Sequence, residues 1–412
     1  MIRYSSFRVI SLILSAVIPL CAAARPLSAQ NLTAQSAGLG RWTVRLAALT
    51  PHGRIETITS VGIQSWTTKG HIMLRSRDKM IHLTTAELLS LRHNAHATIK
   101  TGPTPTHWWL LLRTGDLLPG TPDGSTSGKL TFDSLVFGKL VVPLDDVAGL
   151  SRSRKTPLLS GKSHDHLQFL NGDQLTGTML RILPHAVEWQ STLGRITIPL
   201  ARVNVMKLAQ TVPPPIYRGP LIHITCADGT VVTGESLAFR GQTVTLTAVV
   251  LTPMICGINI IKRIDITGGN LSWLTNLVPQ QYIQTPYVGP PWRLRKNRNC
   301  IGQALRANGR IFKHGLGTHV VTRLTYNLAD AYSLVTFIPA MDQSSRPWGA
   351  GKVTVRADGK PIFTSNMLRV GDALTPVVLP VKHVERLTFI MTGDNAFGVR
   401  GRVDLLDAAL LK

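Results

Sequence analysis

Trp348, with Arg346 two residues before it in the loop from Gln343 to Gly351, is the exposed aromatic best suited to chemistry in this chain of 412 residues. A flat ring of this kind can lie against the apolar face of a sugar while a few fixed polar groups take its hydroxyls. His319, Asp342 and Asp394 stand at turns from which such groups could come. Each has a plainer role beside that one: Trp348 as a cap on a sheet, His319 bonded to a loop carbonyl, the aspartates closing turns. The acids also raise glycoside hydrolysis, which needs two facing carboxyls about 5 to 10 Å apart. Asp342 with Asp394 or Asp404 would be the pair, yet aspartates end many strands here, and turn capping is the better-supported reading. His164-Asp165-His166 offers two imidazoles but no third ligand at metal spacing, and reads as a surface loop. The motifs GxSxG, HExxH and GxxxxGK[ST] do not occur, nor does GxGxxG between a strand and a helix. The expectation is a chain without catalysis, cofactor or metal.

Strands and turns must position these residues. In Arg310 to Asp342 a glycine-rich turn, His314-Gly315-Leu316-Gly317-Thr318-His319, leads into the alternating run Val321 to Leu328 and the apolar run Ser333 to Ile338. Two glycines at that spacing imply positive φ or a close approach of another chain segment. Asp358-Gly359 between Val353–Arg356 and Pro361–Phe363 is a hairpin signal. Apolar runs at 377–381, 386–391 and 403–410 complete a sandwich.

The order GRIFKHGLGTH, RLTYNL, an aspartate after an apolar strand, then VTVRADGKPIFTS resembles the NPCBM/NEW2 domain, a carbohydrate-binding module appended elsewhere to glycoside hydrolases. The resemblance covers residues 297 to 412, and LSWLTNLVPQQYIQTPYVGPPW before it is similar to the lead-in of bacterial secreted proteins of this kind. It implies a jelly-roll, galactose-binding-like sandwich. Ala340-Met341-Asp342-Gln343 replaces a Gly-Val-Asp-Asp type segment, and Arg402-Val403-Asp404-Leu405 a His-Ala-Asp-Trp one. The family's second acid and its tryptophan are thus absent.

Upstream, residues 42–267 hold four degenerate copies of a unit of about 55 residues, at 42–97, 107–152, 165–209 and 220–267. Gly115 recurs as Gly172, 57 residues on, and Pro143 as Pro199, 56 on. In the clearest copy Asn171-Gly172-Asp173 turns between two strands and Gly177 lets the second bend. Each unit reads as four or five short strands with too little core to stand alone, so neighbours pack as sandwiched sheets or small barrels in series. The whole chain is all-β: a jelly-roll sandwich preceded by tandem β-rich units. Thr84 to Leu91 is the one helical stretch, about two turns with Thr84 or Thr85 as cap, and Pro143 and Pro199 each open a short turn. Residues 268–296, rich in proline and aromatics, form an ordered strap.

Residues 1–29 carry Arg3 and Arg8, an apolar stretch Val9 to Leu20, then small residues, the pattern of a secretory signal. That places the protein outside the cytoplasm, periplasmic, surface-bound or secreted, with no transmembrane segment in the mature chain. Lys and Arg number 45 against 22 acids, a formal charge of +23, which draws the chain to anionic surfaces. The basic clusters at Arg152–Lys155 and Arg293–Arg298 sit beside prolines as solvated linkers first and contacts second. Of Cys226, Cys256 and Cys300, the first two are the preferred disulfide pair. The expected function is non-catalytic attachment to carbohydrate, anionic polysaccharide included, with no specific nucleic acid. The alternative is a structural or assembly part of the envelope that contacts envelope proteins, and a weaker third is a glycoside-directed enzyme with its site between repeats.

Overall fold

The computed structural model describes residues 42–47, 55–94, 107–154, 164–209, 217, 219–251, 253–394 and 400–412. Residues 1–29, read as a signal, lie outside them, as does the first unit's expected turn at 51–54.

The first unit is β1 (Trp42–Ala47), β2 (Ile55–Trp66), β3 (His71–Ser76), β4 (Lys79–Thr84) and β5 (Leu88–His93). The second is β6 (Trp108–Leu112), β7 (Leu117–Thr126), β8 (Lys129–Ser134), β9 (Gly138–Pro143) and β10 (Val147–Ser151). The third runs β11 (Asp165–Phe169), β12 (Gln174–Ile182), β13 (Ala186–Ser191), β14 (Gly194–Pro199) and β15 (Val203–Lys207). The fourth runs β16 (Leu221–Cys226), β17 (Val231–Arg240), β18 (Thr243–Ala248), β19 (Met254–Gly257) and β20 (Ile261–Thr267).

All four share one topology. The first strand pairs with the second and the fifth, the second with the third, and the third with the fourth. Every long second strand carries a bulge, between Ile63 and Ser65, Pro122 and Gly124, Met179 and Arg181, and Gly234 and Ser236. A bulge bends a strand sharply, so one strand serves both sides of a small curled sheet. Single turns of 3₁₀ helix follow Pro143 and Pro199, as the sequence implies.

Gly120, Gly177 and Gly234 recur at intervals of 57 because a side chain fits at none of them. A Cβ would stand 2.1 Å from Asp133 O, 2.2 Å from Gln190 O and 2.4 Å from Leu246 Cδ1 respectively. Gly177→Ala is therefore expected to lower stability by about 1 to 3 kcal/mol, the usual cost of overpacking. A fall in the urea midpoint at unchanged slope checks it.

β5 pairs with β20 and β10 with β15, so units one and four, and two and three, cover each other's edges. One apolar core runs from Trp42 to Ile266 through all four, and Trp66 stacks on Phe239 across units one and four at 5.7 Å.

Two expectations give way here. Thr84–Leu91 is not helical: Glu87 accepts from Thr84 N and Oγ1 to close a turn, and Leu88–His93 is strand between β1 and β20. Two flanking strands offer every backbone group of this segment a partner, and that outweighs a short helical pattern. Cys226 and Cys256 are both free thiols buried in the core. Burial pushes the Cys226 thiol up, and Cys256 up to about 11.

The remaining strands are β21 (Leu271–Trp273), β22 (Gln281–Gln284), β23 (Arg295–Lys296), β24 (Leu305–Ala307), β25 (Arg310–Phe312), β26 (Gly315–His319), β27 (Thr322–Asn327), β28 (Leu334–Met341), β29 (Ala350–Ala357), β30 (Lys360–Thr364), β31 (Leu368–Arg369), β32 (Val377–Pro380), β33 (Arg386–Gly393) and β34 (Arg402–Leu411). One sheet runs β23-β26-β34-β28-β32 with β21 added on β34; the other runs β22-β27-β33-β29-β30 with β31 on β29. The alternating strands bury one face: Leu324, Tyr326, Val353, Val355, Leu387 and Phe389 meet Val335, Phe337, Val403 and Leu405, while Val321 at the start of its run is exposed. Phe337 stands edge-on to both Phe363 and Phe389. Asp358 and Gly359, at φ +45° and +85°, make the expected hairpin turn between β29 and β30.

The strap is ordered because it contributes strands to both sheets, β21 and β23 to one and β22 to the other. The sandwich also rests on unit one. Leu271, Ala409 and Leu411 pack with Ile55 and Leu89, Arg45 pairs with Asp407, and Asn270 N donates to Ala86 O. No helix among the described residues is long and apolar enough to cross a membrane.

Candidate functional site

One end of the sandwich gathers most of the residues singled out in the sequence. β28 is followed by Asp342, whose side chain caps the single 3₁₀ turn Gln343–Ser345 by accepting from Ser344 N. The loop beyond is tied to the start of β34. Arg402 Nη1 donates to Ser344 O at 2.7 Å, Arg400 Nη1 donates to Arg346 O, and Asp342 N donates to Arg402 O. At Gly349 a Cβ would lie 2.5 Å from both Arg400 O and Ser345 Cβ, so the chain closes tightly there. Trp348 projects from this pinned loop with 73% of its surface exposed, and Arg346 is exposed beside it.

His319 lies opposite Arg402 across the β26–β34 ladder. Its ring stacks on Trp292, centroids 5.1 Å apart and nearly parallel. Burial, helped by the Arg402 charge, holds the imidazole below its ordinary pKa, so it is a neutral ring at physiological pH. Trp292 is fixed in turn: its amide donates to Gln284 Oε1 and its carbonyl accepts from Tyr282 Oη, at 2.8 and 2.7 Å. Beside it a cleft of about 510 Å³ opens between Val288, Pro290, Pro291, Arg293, Arg295 and Ile301. Asp394 is exposed just after the Gly351–Gly393 pair, at the base of the same loop.

Asp342 is different. It is 1% exposed, and its carboxylate accepts from Asn299 Nδ2 at 3.1 Å, from Arg306 N at 3.3 Å and from both Ser344 N and Oγ. The expectation of a direct ligand contact there is corrected to a buried brace. It holds together the Asn299 turn, β24 and the Trp348 loop. Gly317 shows how tightly: a Cβ there would lie 2.2 Å from Arg298 O, the close approach implied by the paired glycines.

Behind Asp342 lies Asp404, fully buried, whose oxygens accept no N–H or O–H from the described residues. Burial, together with the facing Asp342 carboxylate, holds Asp404 well above the usual carboxylate range. A neutral, protonated Asp404 that donates to Asp342 satisfies both groups. Both acids lie inside the fold, Asp342 1% and Asp404 0% exposed, and a proton kept on Asp404 relieves the repulsion between them.

Elsewhere, Asp165 accepts from Met179 N and Ala209 N, both at 2.6 Å, which makes the His164-Asp165-His166 segment a structural tie. Trp292 and Arg400 are the site-forming residues that sequence reasoning passed over. The signal for the first was Pro290-Pro291-Trp292, an aromatic held rigid by prolines.

Residues 271–411 match the family model of the NPCBM/NEW2 domain, a span that begins inside the strap rather than at 297. No curated protein matches the chain. Among solved structures, a CBM51 module from Clostridium perfringens GH95, in complex with methyl-galactose, shares 20% identity over 34% of this chain and 99% of its own, with a TM-score of 0.31. The CBM51-2 and INT domains of Clostridium perfringens ZmpB, in complex with GlcNAc, share 17% over 45% of this chain and 42% of theirs, at 0.32. The tandem CBM51 modules of a family 98 glycoside hydrolase from Streptococcus pneumoniae share 11% over 85% and 93%, at 0.31.

Proposed function

With residues 271–411 an NPCBM/NEW2 domain, we propose that the protein is an exported, non-catalytic carbohydrate-binding protein whose loop end, at Trp348, Arg346, His319, Asp394 and Trp292, meets the sugar. The amino-terminal sequence supports export to the envelope or beyond. The observation that carries the reading is Trp348: an indole left in solvent on a loop that three donors and a glycine contact hold rigid. A rigid, exposed ring loses little entropy on stacking against a sugar, which is what a binding face needs. The four upstream units act as the platform on which this domain is mounted.

A glycan array probed with the full chain tests the reading. Retention of at least one glycan is expected, with Trp348→Ala weakening it about tenfold to a hundredfold, 1.4 to 2.8 kcal/mol. If no neutral or acidic glycan is retained even at low salt, the domain serves protein contact within the envelope and the carbohydrate reading fails.

A further inference from the structure

The outer face of the β22-β27-β33-β29-β30 sheet bears three arginines and no aromatic ring. Register fixes their places. Gln281, Thr325, Thr388 and Arg356 form one row across four strands. Arg323 lies one outward position away from Thr325 on β27, opposite Ile390, and Arg386 one outward position from Thr388 on β33, opposite Asn327. Outward positions on a strand are about 7 Å apart and neighbouring strands about 4.8 Å. The three guanidiniums therefore occupy three successive rows, spanning about 14 Å along the strands. They line a cavity of about 510 Å³ with Gln280, Gln281 and the two threonines. Thr325 and Thr388 share a hydrogen bond of 3.1 Å at its floor.

None of these arginines has a carboxylate within ion-pair distance among the described residues. Asp358, at the rim, is occupied by the Glu385 and Arg386 backbone amides. Three like charges held this close on a rigid sheet repel one another unless an anion lies among them. Guanidinium forks with hydroxyls between them suit oxyanions, which they bind through paired charged hydrogen bonds. The absence of a ring disfavours both neutral sugars and single-stranded nucleic acid, which need a stacking platform.

We propose that Arg323, Arg356 and Arg386 form a second, separate site that binds a polysaccharide bearing sulfate or carboxylate groups along its length. The choice of a polysaccharide among polyanions rests on the carbohydrate reading above; the anion site itself does not.

The test measures binding of the full chain to heparin, polygalacturonate, neutral dextran and a single-stranded oligonucleotide at about 0.15 M salt, where surface charges are screened beyond about 8 Å. Heparin or polygalacturonate is expected to bind and dextran not to bind at this face. Arg323→Gln/Arg356→Gln/Arg386→Gln together should weaken that binding about tenfold to a hundredfold, and Arg356→Gln alone by a smaller factor. Trp348→Ala should leave it unchanged, and so should Gln at Arg293, Arg295 and Arg298. Undiminished binding by the triple variant overturns the proposal, as does loss only in the Arg293–Arg298 variant. An oligonucleotide bound as tightly as either polymer overturns the polysaccharide assignment. Loss in the triple variant with no effect of Trp348→Ala on any glycan would sink the loop-end reading and leave this one standing.

Discussion

At pH 8 the Asp404→Asn protein is expected to unfold at a higher urea concentration than the wild type, and at pH 4 at nearly the same one. The wild-type folded state keeps a proton on Asp404 because the group is fully buried and faces Asp342. The unfolded chain releases that proton near the ordinary aspartate pKa of about 3.9. With the folded pKa raised above the unfolded one, the group's contribution is fully present below about pH 4 and is lost as pH rises toward the folded value. While only the folded state holds the proton, the loss is about 1.4 kcal/mol per pH unit. Asparagine keeps its N–H at every pH and can donate to Asp342 as the protonated acid does, so its profile lacks this slope. The histidines that burial depresses, His223, His314 and His319, titrate in both proteins and cancel in the difference. Urea midpoints at both pH values give the answer; parallel profiles would show that Asp404 is ionised in the folded protein.

How much of this was legible in the sequence follows from the range of the interaction concerned. The repeat was visible through Gly115 and Gly172, at φ +88° and +94°, and through Gly120 and Gly177, where a backbone oxygen fills the space of a side chain. Such positions admit one residue type, so they print themselves on the sequence at a fixed interval. The pairing of unit one with four and two with three was not visible, since it depends on ladders between segments some 170 residues apart in the first case and some 55 in the second. Thr84–Leu91 misled for the same reason. Its capping pattern is local and real, as Glu87 shows, but the β1 and β20 partners that make Leu88–His93 a strand are remote. At the site, exposure of Trp348 followed from its place in a loop between strands. Burial of Asp342 did not, because Asn299 and Arg306, its partners, arrive from another part of the chain.

Asp342→Ala is expected to lower stability by roughly 3 kcal/mol and to weaken glycan binding with it, although this residue is buried. The substitution leaves Asn299 Nδ2 and Arg306 N without their acceptor, and each unmade buried hydrogen bond costs about 1 to 3 kcal/mol. Relief of Asp404 from a facing negative charge offsets part of that. The cap on Gln343–Ser345 goes as well, so the loop that holds Trp348 samples more conformations. A ring that must be ordered on binding gives up affinity, here about tenfold. Asp342→Asn should fall between, since its carbonyl still accepts from Ser344 N while its amide faces an Asp404 now free to ionise. A direct contact would behave otherwise. If Asp342→Ala abolished binding at an unchanged urea midpoint, the carboxylate would have to reach the sugar, and the brace would have to be abandoned. If binding and stability decline together, and Trp348→Ala removes binding at full stability, then the acid holds the loop and the indole holds the ligand.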